Sequence, residues 1–598
     1  MKRIQDEIET LKLPQVIFIF LLVGLTIYWN SVMHPFVHDD VVFIQKNPQI
    51  GDLRNSVSAF FQTSFSSNAT SIINVYYRPL LETIYRLEFR IFHFNSYWYH
   101  LVNVLIHTIN SILVYIFLRL LINHKSIAFV IGFLFLIHPV QSEAVACISG
   151  ISNLLFAWTC LLSFIFYLLS GRDKKLHQKV LCYILSLAFF SMGLFVKEQT
   201  VVFPLIILVY EICFYNPAKG SRGIKSLHLL GFVVISLGYL SFRKLILGMT
   251  VAPLFTYPQE LWLRLCAIPK TIFIYLTLLI FPHNLHYYRS LDILKPYVGS
   301  FILLIGLCGM IIKLIRLIPA AQRRLFYFGL GWFVISLLPT LNILPLIIEY
   351  SYIFIAEHFL YFPMIGFFLS LVVGCAYCIK NVSEKDKNNF AFVFSAIILI
   401  FVVMTIKQNI YWRGEIPLFK RTLKFEPQLG RVHILLAKAY YSDRQIDKAM
   451  EEYKRALEIM TGYVQKAQGT QAENFYLGFI KGIHFDLGHC YAVLGDLFNS
   501  VRQYQEALRI DPRDEVIHNN LGSVYLGLNN IDLAMKHFQQ ALKLNPLNLM
   551  AKNNLAICYI QKENTQEAER LLREILKTDQ YFSAAQQNLE QLLMKKTP

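Results

Sequence analysis

Between residue 1 and about residue 410 the chain returns repeatedly to apolar runs of roughly 20 residues, the length at which an α-helix crosses the ~30 Å hydrocarbon core of a bilayer. Lipid offers no hydrogen bonds, so a run of that length must satisfy its own backbone as a helix. The spacing predicts about eleven spans, near 15–32, 99–122, 126–146, 152–170, 178–196, 199–215, 226–247, 297–318, 325–346, 358–379 and 390–410. The stretch 262–282 is apolar too, but a crossing there would invert every later loop, so it reads as re-entrant or interfacial. Beyond residue 411 the apolar runs give way to a charged, Ala/Leu/Tyr/Gln-rich stretch. This sets two all-α domains, a polytopic membrane domain at 1–411 and a second domain at 412–598.

Composition agrees: at 55% hydrophobic and 16% charged, the 598 residues are too apolar for an ordinary soluble enzyme. The net charge of +17 would suit a nucleic-acid partner, but much of the Lys and Arg sits in short segments between apolar runs, as in loops held at a cytoplasmic face. No nucleic acid is expected. Lys2/Arg3, Arg119/Lys125, Lys174/Lys175, Arg222/Lys225, Arg323/Arg324 and Lys385/Lys387 mark that face. The alternate loops, 33–98, 147–151, the Lys197/Glu198 turn, 248–296 and 347–357, then face outward, and eleven crossings leave the second domain outside as well. Lys407, Arg413, Lys420, Arg421 and Lys424 argue for the opposite side, although the rule weakens before a long domain.

The second domain repeats itself. Tyr491, Tyr525 and Tyr559 are spaced by 34, the tetratricopeptide period. The same period relates Gly488, Gly522 and Ala556, then Tyr504, Phe538 and Leu572, and the helix-ending Pro512 and Pro546. Small residues let paired helices approach, and rings fill the space between units. An earlier unit carries Ala437, Tyr440, Ala449 and Tyr453, but Tyr440 precedes Tyr491 by 51, which implies an insertion near 462–480. Stacked units form a superhelix whose groove suits an extended peptide.

Chemistry is expected directly after the first span, at His38-Asp39-Asp40. Two carboxylates at a membrane surface are costly without a purpose. Such a group can act as general base on a hydroxyl, or hold a divalent cation (Mg or Mn on Asp39 or Asp40) against a phosphate leaving group. The bare pair is a weak motif, since acidic pairs also cap helices.

Further along stand Tyr76-Tyr77-Arg78-Pro79, Tyr99-His100 with Asn103 and His107, and His138-Pro139-Val140 with Ser142-Glu143-Ala144. Lys197-Glu198-Gln199, Phe281-Pro282-His283-Asn284 with Arg289-Ser290, and Glu357-His358-Phe359-Leu360 follow, and then the repeats. In this order the chain resembles the transmembrane-and-tetratricopeptide O-mannosyltransferases and their prokaryotic relatives, within the GT-C glycosyltransferase superfamily. The resemblance implies a GT-C-like membrane domain that transfers a hexose, mannose in the animal members, from a polyprenyl-phosphate donor to a protein hydroxyl with inversion. It also implies that Asp39 and Asp40 are the catalytic pair. No Walker or Rossmann fingerprint is present, in keeping with a lipid-phosphate donor. Arg78, Lys197, Arg289 and His358 are the cations placed to bind the donor phosphate, although Arg78 has Glu82 within reach on its own helix. Glu143 joins the catalytic set and His138 orients the acceptor or Asp40, with core hydrogen bonding as the alternative for both.

One departure stands out: where the family often has a basic residue after Ser-Gly, this chain reads Ser149-Gly150-Ile151-Ser152-Asn153. A non-enzymatic membrane scaffold that recruits partners through its repeats is the competing reading. It leaves the acidic pair and the aligned cations without a role. Residue usage rich in Lys, Ile, Asn and Phe favours a bacterial inner membrane over the endoplasmic reticulum, with the repeats periplasmic or lumenal, and Asn68-Ala69-Thr70 forms a glycosylation sequon.

Overall fold

The computed structural model describes residues 7–53, 77–122, 124–172, 175–214, 222–247, 258–292, 298–341, 352–380, 382–469 and 471–594. Tyr76 and the sequon Asn68-Ala69-Thr70 lie outside them. Two compact units result, Met1–Phe425 and Glu426–Pro598.

The first unit runs through helices α1 (Leu13–Val32), α2 (Pro79–Phe92), α3 (Ser96–Ile122), α4 (Lys125–Ile137), α5 (Ser142–Ala146), α6 (Ile151–Ser170), α7 (Leu176–Val196), α8 (Phe203–Phe214), α9 (Arg222–Leu247) and α10 (Pro258–Ile280). Strand β1 (Arg289–Asp292), α11 (Val298–Leu317), α12 (Ala320–Leu337), strand β2 (Tyr352–Ile355), α13 (Pro363–Lys380), α14 (Glu384–Ile410) and α15 (Glu415–Phe425) complete it. Among the described residues seven helices are long and apolar enough to cross a membrane, or eight if the bent pair formed by Lys125–Ile137 and Pro139–Ala146 is one span. Three of the expected crossings are helices that do not reach that length and apolarity: α8, α12 and α13. The stretch expected to be re-entrant or interfacial is one continuous 23-residue helix, α10, with Pro269 inside it, and it is not among the helices long and apolar enough to cross. Apolar side chains left bare on α11, such as Ile302, Ile305 and Met310, match a surface turned to lipid.

Helices α12 and α13 meet through glycines, since a Cβ on Gly366 would lie 2.5 Å from the Gly329 carbonyl oxygen. Side chains any larger would force these helices apart.

The α4–α5 pair bends by 49° because Pro139 has no N–H to donate and cannot continue α4. That break leaves carbonyls without helical partners deep in the bundle, and four side chains take them. Leu136 O accepts from His107 Nε2 at 3.1 Å and from the Tyr28 hydroxyl at 3.5 Å, Ile137 O from Thr405 Oγ1 at 2.7 Å, and Phe135 O from Gln141 Nε2 at 3.5 Å. Irregular backbone is tolerated at such depth only when protein groups pair it. The same bonds tie α1, α3 and α14 to the break.

Beyond the helices lies a small ribbon that the all-α pattern does not announce: β1 and β2 pair antiparallel, with Arg289 opposite Ile355. The helix α15, counted by composition with the repeats, belongs to the first unit. It buries Leu418, Phe419 and Thr422, and its Glu415 accepts the His38 backbone N–H at 3.1 Å. Its first unit neighbours therefore include the loop that carries the acidic pair.

The second unit is a succession of helix pairs: Gly430–Ser442 with Ile446–Ala467, Gln471–Val493 with Leu497–Ile510, Glu515–Gly527 with Ile531–Leu544, Leu549–Gln561 with Thr565–Thr578, and the lone Ser583–Met594. The inserted residues near 462–480 do not form a long loop. They lengthen the two helices on either side to 22 and 23 residues, against 13 or 14 in the later pairs.

Candidate functional site

At the end of α1 the chain turns at Pro35 and His38. His38 adopts a left-handed backbone (φ 53°), a costly conformation for a residue with a Cβ. The turn sends the two neighbouring carboxylates to different places. Asp40 is 1% exposed, and its oxygens accept backbone N–H groups from Ser149 (2.7 Å), Val37 (3.2 Å) and Ile148 (3.4 Å). Burial pushes its carboxyl up to about 6, against the pull of the Ser149 and Val37 N–H groups. Asp39 has a 46% exposed side chain and one ionic neighbour, His38 Nε2 at 3.3 Å.

The cradle around Asp40 has its own supports. Asn103, fully buried on α3, points its Nδ2 at the carbonyls of Cys147 (2.9 Å), Ile148 (3.3 Å) and Val145 (3.4 Å), holding that turn in shape. Gly150 lets the turn close, since a Cβ there would sit 2.3 Å from Ala144 O.

Glu143 and His358 form a clasp: the His358 backbone N–H donates to Glu143 Oε2 at 2.9 Å, and its Nδ1 lies 2.8 Å from Oε1. An Nδ1–H donated to the carboxylate leaves Nε2 as the outward nitrogen of a ring that is 24% exposed. Next to it, Glu357 Oε1 accepts the His286 N–H at 2.6 Å and lies 3.7 Å from Arg289 Nη1. Burial raises the Glu357 carboxyl above the ordinary range, opposed by the Arg289 charge.

Arg78 reaches across to another helix end. Its guanidinium forks onto Glu198, with Nε to Oε2 at 2.9 Å and Nη2 to Oε1 at 2.6 Å. Burial would raise the Glu198 carboxyl, but Arg78 more than offsets this and holds it at about 2. Lys197 donates to Asn153 Oδ1 at 2.5 Å and is 3% exposed, and burial, helped by the Arg78 charge, brings its ammonium down to about 7. Both cations are thus answered from within the protein. His138 is used up in the core: Nδ1 accepts the Val140 N–H at 3.3 Å and Nε2 bonds Leu279 O at 3.0 Å, so neither ring nitrogen is left to orient an acceptor.

The oxygens of Asp40 already face the positive ends of three N–H groups, Asp39 is paired with His38, and no group of three or more His, Cys, Asp or Glu among the described residues could hold a metal ion. Sequence reasoning quoted Glu198, Asn153, Asn103 and Glu357 within its motifs but gave none of them a role. A signal for Glu198 and Glu357 existed, because a charge at the end of an apolar run calls for a partner. The partners themselves lie in other spans.

Family models for tetratricopeptide repeats match residues 430–459 and 529–593, and one for the TPR repeat matches 488–529. A protein O-mannosyl-transferase of Caenorhabditis elegans is 26% identical over 466 residues, which is 75% of this chain and 63% of that protein. The protein O-mannosyl-transferase TMTC4 of Homo sapiens is 26% identical across 70% of this chain and 62% of its own, and TMTC3 of Mus musculus is 24% identical across 72% and 50%. This chain therefore spans about half to two thirds of the length of these curated relatives. Among solved structures, BtubC from P. vanneervenii is 20% identical, covering 29% of this chain and 77% of that one with a TM-score of 0.25. YrrB, a TPR protein with an unusual peptide-binding site, is 18% identical, covering 30% and 83% with a TM-score of 0.24. The resemblance carried by the motifs is borne out: the chain is similar to these O-mannosyl-transferases and carries tetratricopeptide repeats after a bundle of apolar helices.

Proposed function

We propose that this is an integral-membrane glycosyltransferase of GT-C type that moves a hexose from a polyprenyl-phosphate donor to a protein hydroxyl on the periplasmic or lumenal face, with Asp39 as the general base. The observation that carries the reading is the split of the acidic pair: Asp40 is anchored by backbone N–H groups while the neighbouring carboxylate stays half exposed. Likeness to named O-mannosyl-transferases over some three quarters of the chain supports the reaction class.

In the reaction, Asp39 takes the proton of the acceptor hydroxyl as its oxygen attacks the anomeric carbon. The bond from that carbon to the phosphate oxygen breaks, the phosphate leaves on its lipid, and the configuration inverts. Asp40 keeps the loop in position, and His358 is oriented by Glu143. The bond from the His38 N–H to Glu415 of α15 supports a last span that leaves the membrane on the side of the acidic pair, in keeping with repeats on that side. Their groove is then available to an extended segment of the acceptor.

The test is transfer by the purified full chain from polyprenyl-phosphate mannose to a protein acceptor. Loss of transfer in Asp39→Asn, with donor binding kept, is expected. A chain that neither binds nor uses the donor would move the scaffold reading to first place. Labelling a cysteine introduced near Asn564 only from the cytoplasmic side would reverse the orientation.

A further inference from the structure

With Arg78 and Lys197 answered internally, the donor phosphate of the proposed reaction needs other cations. Two guanidiniums meet at the loop before β1. Arg289 donates Nη2 to Asn284 O at 2.5 Å, and Arg421, from α15, donates Nε to the next carbonyl, Leu285 O, at 3.2 Å. Arg421 is also held by two rings, its guanidinium carbon 4.6 Å from the centroid of Tyr411 and 4.5 Å from that of Phe425.

These tethers fix each group while leaving donors unspent. Nη1 of Arg289 is buried without a hydrogen-bond partner, in a side chain that is 9% exposed. Among the described residues no hydrogen bond is made by either Nη of Arg421. One carboxylate, Glu357, feels both charges, and its Oε1 is already engaged by the His286 N–H. Glu143, the other carboxylate nearby, is engaged by His358, and among the described residues Arg421 makes no ion pair, which leaves its charge without a carboxylate of its own beside a membrane, where an uncompensated charge is expensive. Fixed planar guanidiniums with open N–H edges match the tetrahedral oxygens of a phosphoryl group, which accepts such forks in charge-assisted hydrogen bonds.

We infer that Arg421 and Arg289 together form the phosphate-binding site of the lipid-linked donor. This rests on the glycosyltransferase reading and makes α15, which lies between the last span and the repeats, a part of the donor site. The phosphate comes from a lipid, because Arg421 lies on the helix that directly follows the last span, α14, and Arg289 lies beside it.

The test uses the full chain in neutral phosphatidylcholine nanodiscs and a polyprenyl monophosphate without sugar as the probe. Arg421→Gln and Arg289→Gln are each expected to weaken probe binding by about 10- to 100-fold, the worth of one charge-assisted hydrogen bond. Arg421→Lys keeps the charge above the rings and is expected to weaken it only a few-fold. Equal loss in the Gln and Lys variants of Arg421 would mean packing rather than charge, and would overturn the inference. So would parental binding in both Gln variants, or displacement of the probe by an equal concentration of inorganic phosphate. A parental protein that does not bind the probe at all would remove the lipid-phosphate reading of function along with the site.

Discussion

In the repeat unit a residue's task is shared with the residue 34 positions away, whereas in the membrane unit it depends on residues hundreds of positions away. Asp496, Asn530 and Asn564 each cap a helix by accepting the N–H three residues on, from Asn499, Leu533 and Glu567. A Cβ on Gly488 would come 2.8 Å from the Tyr504 ring, and one on Gly522 would come 2.7 Å from the Phe538 ring. Across the membrane unit, Ser149 grips Asp40 at a separation of 109 residues, Thr405 bonds Ile137 O at 268, and Glu415 receives the His38 N–H at 377. A stacked array of neighbours confines damage to the adjoining pairs. The bundle concentrates its long-range ties on a few turns, so damage at one of them reaches the site.

The sharpest test of that contrast lies within one dipeptide. Asp39→Asn is expected to cut transfer by about 10²–10⁴-fold while the melting temperature holds, because a half-exposed side chain with one ionic neighbour carries little stability. Asp40→Asn should alter melting first. Rates that fall only in the Asp40 variant would exchange the two roles.

Glycine substitutions compare the units directly. Gly150→Ala drives a Cβ to within 2.3 Å of a backbone oxygen that has no rotamer to escape into, so the Asp40 cradle must move. We expect a loss of about 2–4 kcal/mol in the membrane unit together with loss of transfer. Gly522→Ala meets a ring at 2.7 Å and should cost about 1–3 kcal/mol within the repeats, leaving donor binding untouched. Limited proteolysis against temperature separates the two, and spread of the Gly522 damage into the membrane unit would break the contrast.

Acidity probes the buried carboxylate. The folded state holds Asp40 at about 6, above its unfolded value, so its protonated form favours folding. Its contribution is complete below pH ~4 and fades as the pH rises through about 6, by roughly 2–3 kcal/mol. Melting curves between pH 4 and 7 should show this loss, and Asp40→Asn should flatten it; an unchanged slope in the variant would assign the titration elsewhere.

The smallest effects are single hydrogen bonds. Thr405→Val removes the donor to Ile137 O at the helix break, and Asn564→Ala removes a cap, each worth about 1 kcal/mol. The contrast predicts that the first lowers the melting of the whole membrane unit, while the second increases hydrogen exchange only around Thr565–Thr578.

Much of this was legible in advance. Most of the apolar runs became helices within a few residues of their predicted limits, since lipid-length hydrophobicity is a property of the local sequence. The repeats were legible for the same reason. Their period is a spacing, and even the insertion near 462–480 could be located, although not that it would lengthen two helices. The span predicted at 126–146 runs through Pro139, and only the structure shows the break there and which donors meet the carbonyls it frees. Among the candidate residues, Asp39, Asp40, Glu143, Lys197 and His358 were all visible as polar groups at the ends of apolar runs, while Arg421 was counted with the repeats because charge resumes after the last span.

The sequence by itself determined the division into an apolar helical bundle and a 34-residue array, and the presence of costly charges at span ends, because both follow from residues close together in the chain. Only the tertiary structure decided which of two adjacent aspartates is anchored, that Arg78 answers Glu198, and that α15 brings Arg421 beside Arg289 and Glu357. Those outcomes depend on which helix ends are neighbours and on how a left-handed His38 turns the chain, and pairing across spans leaves no periodic trace in the order of residues.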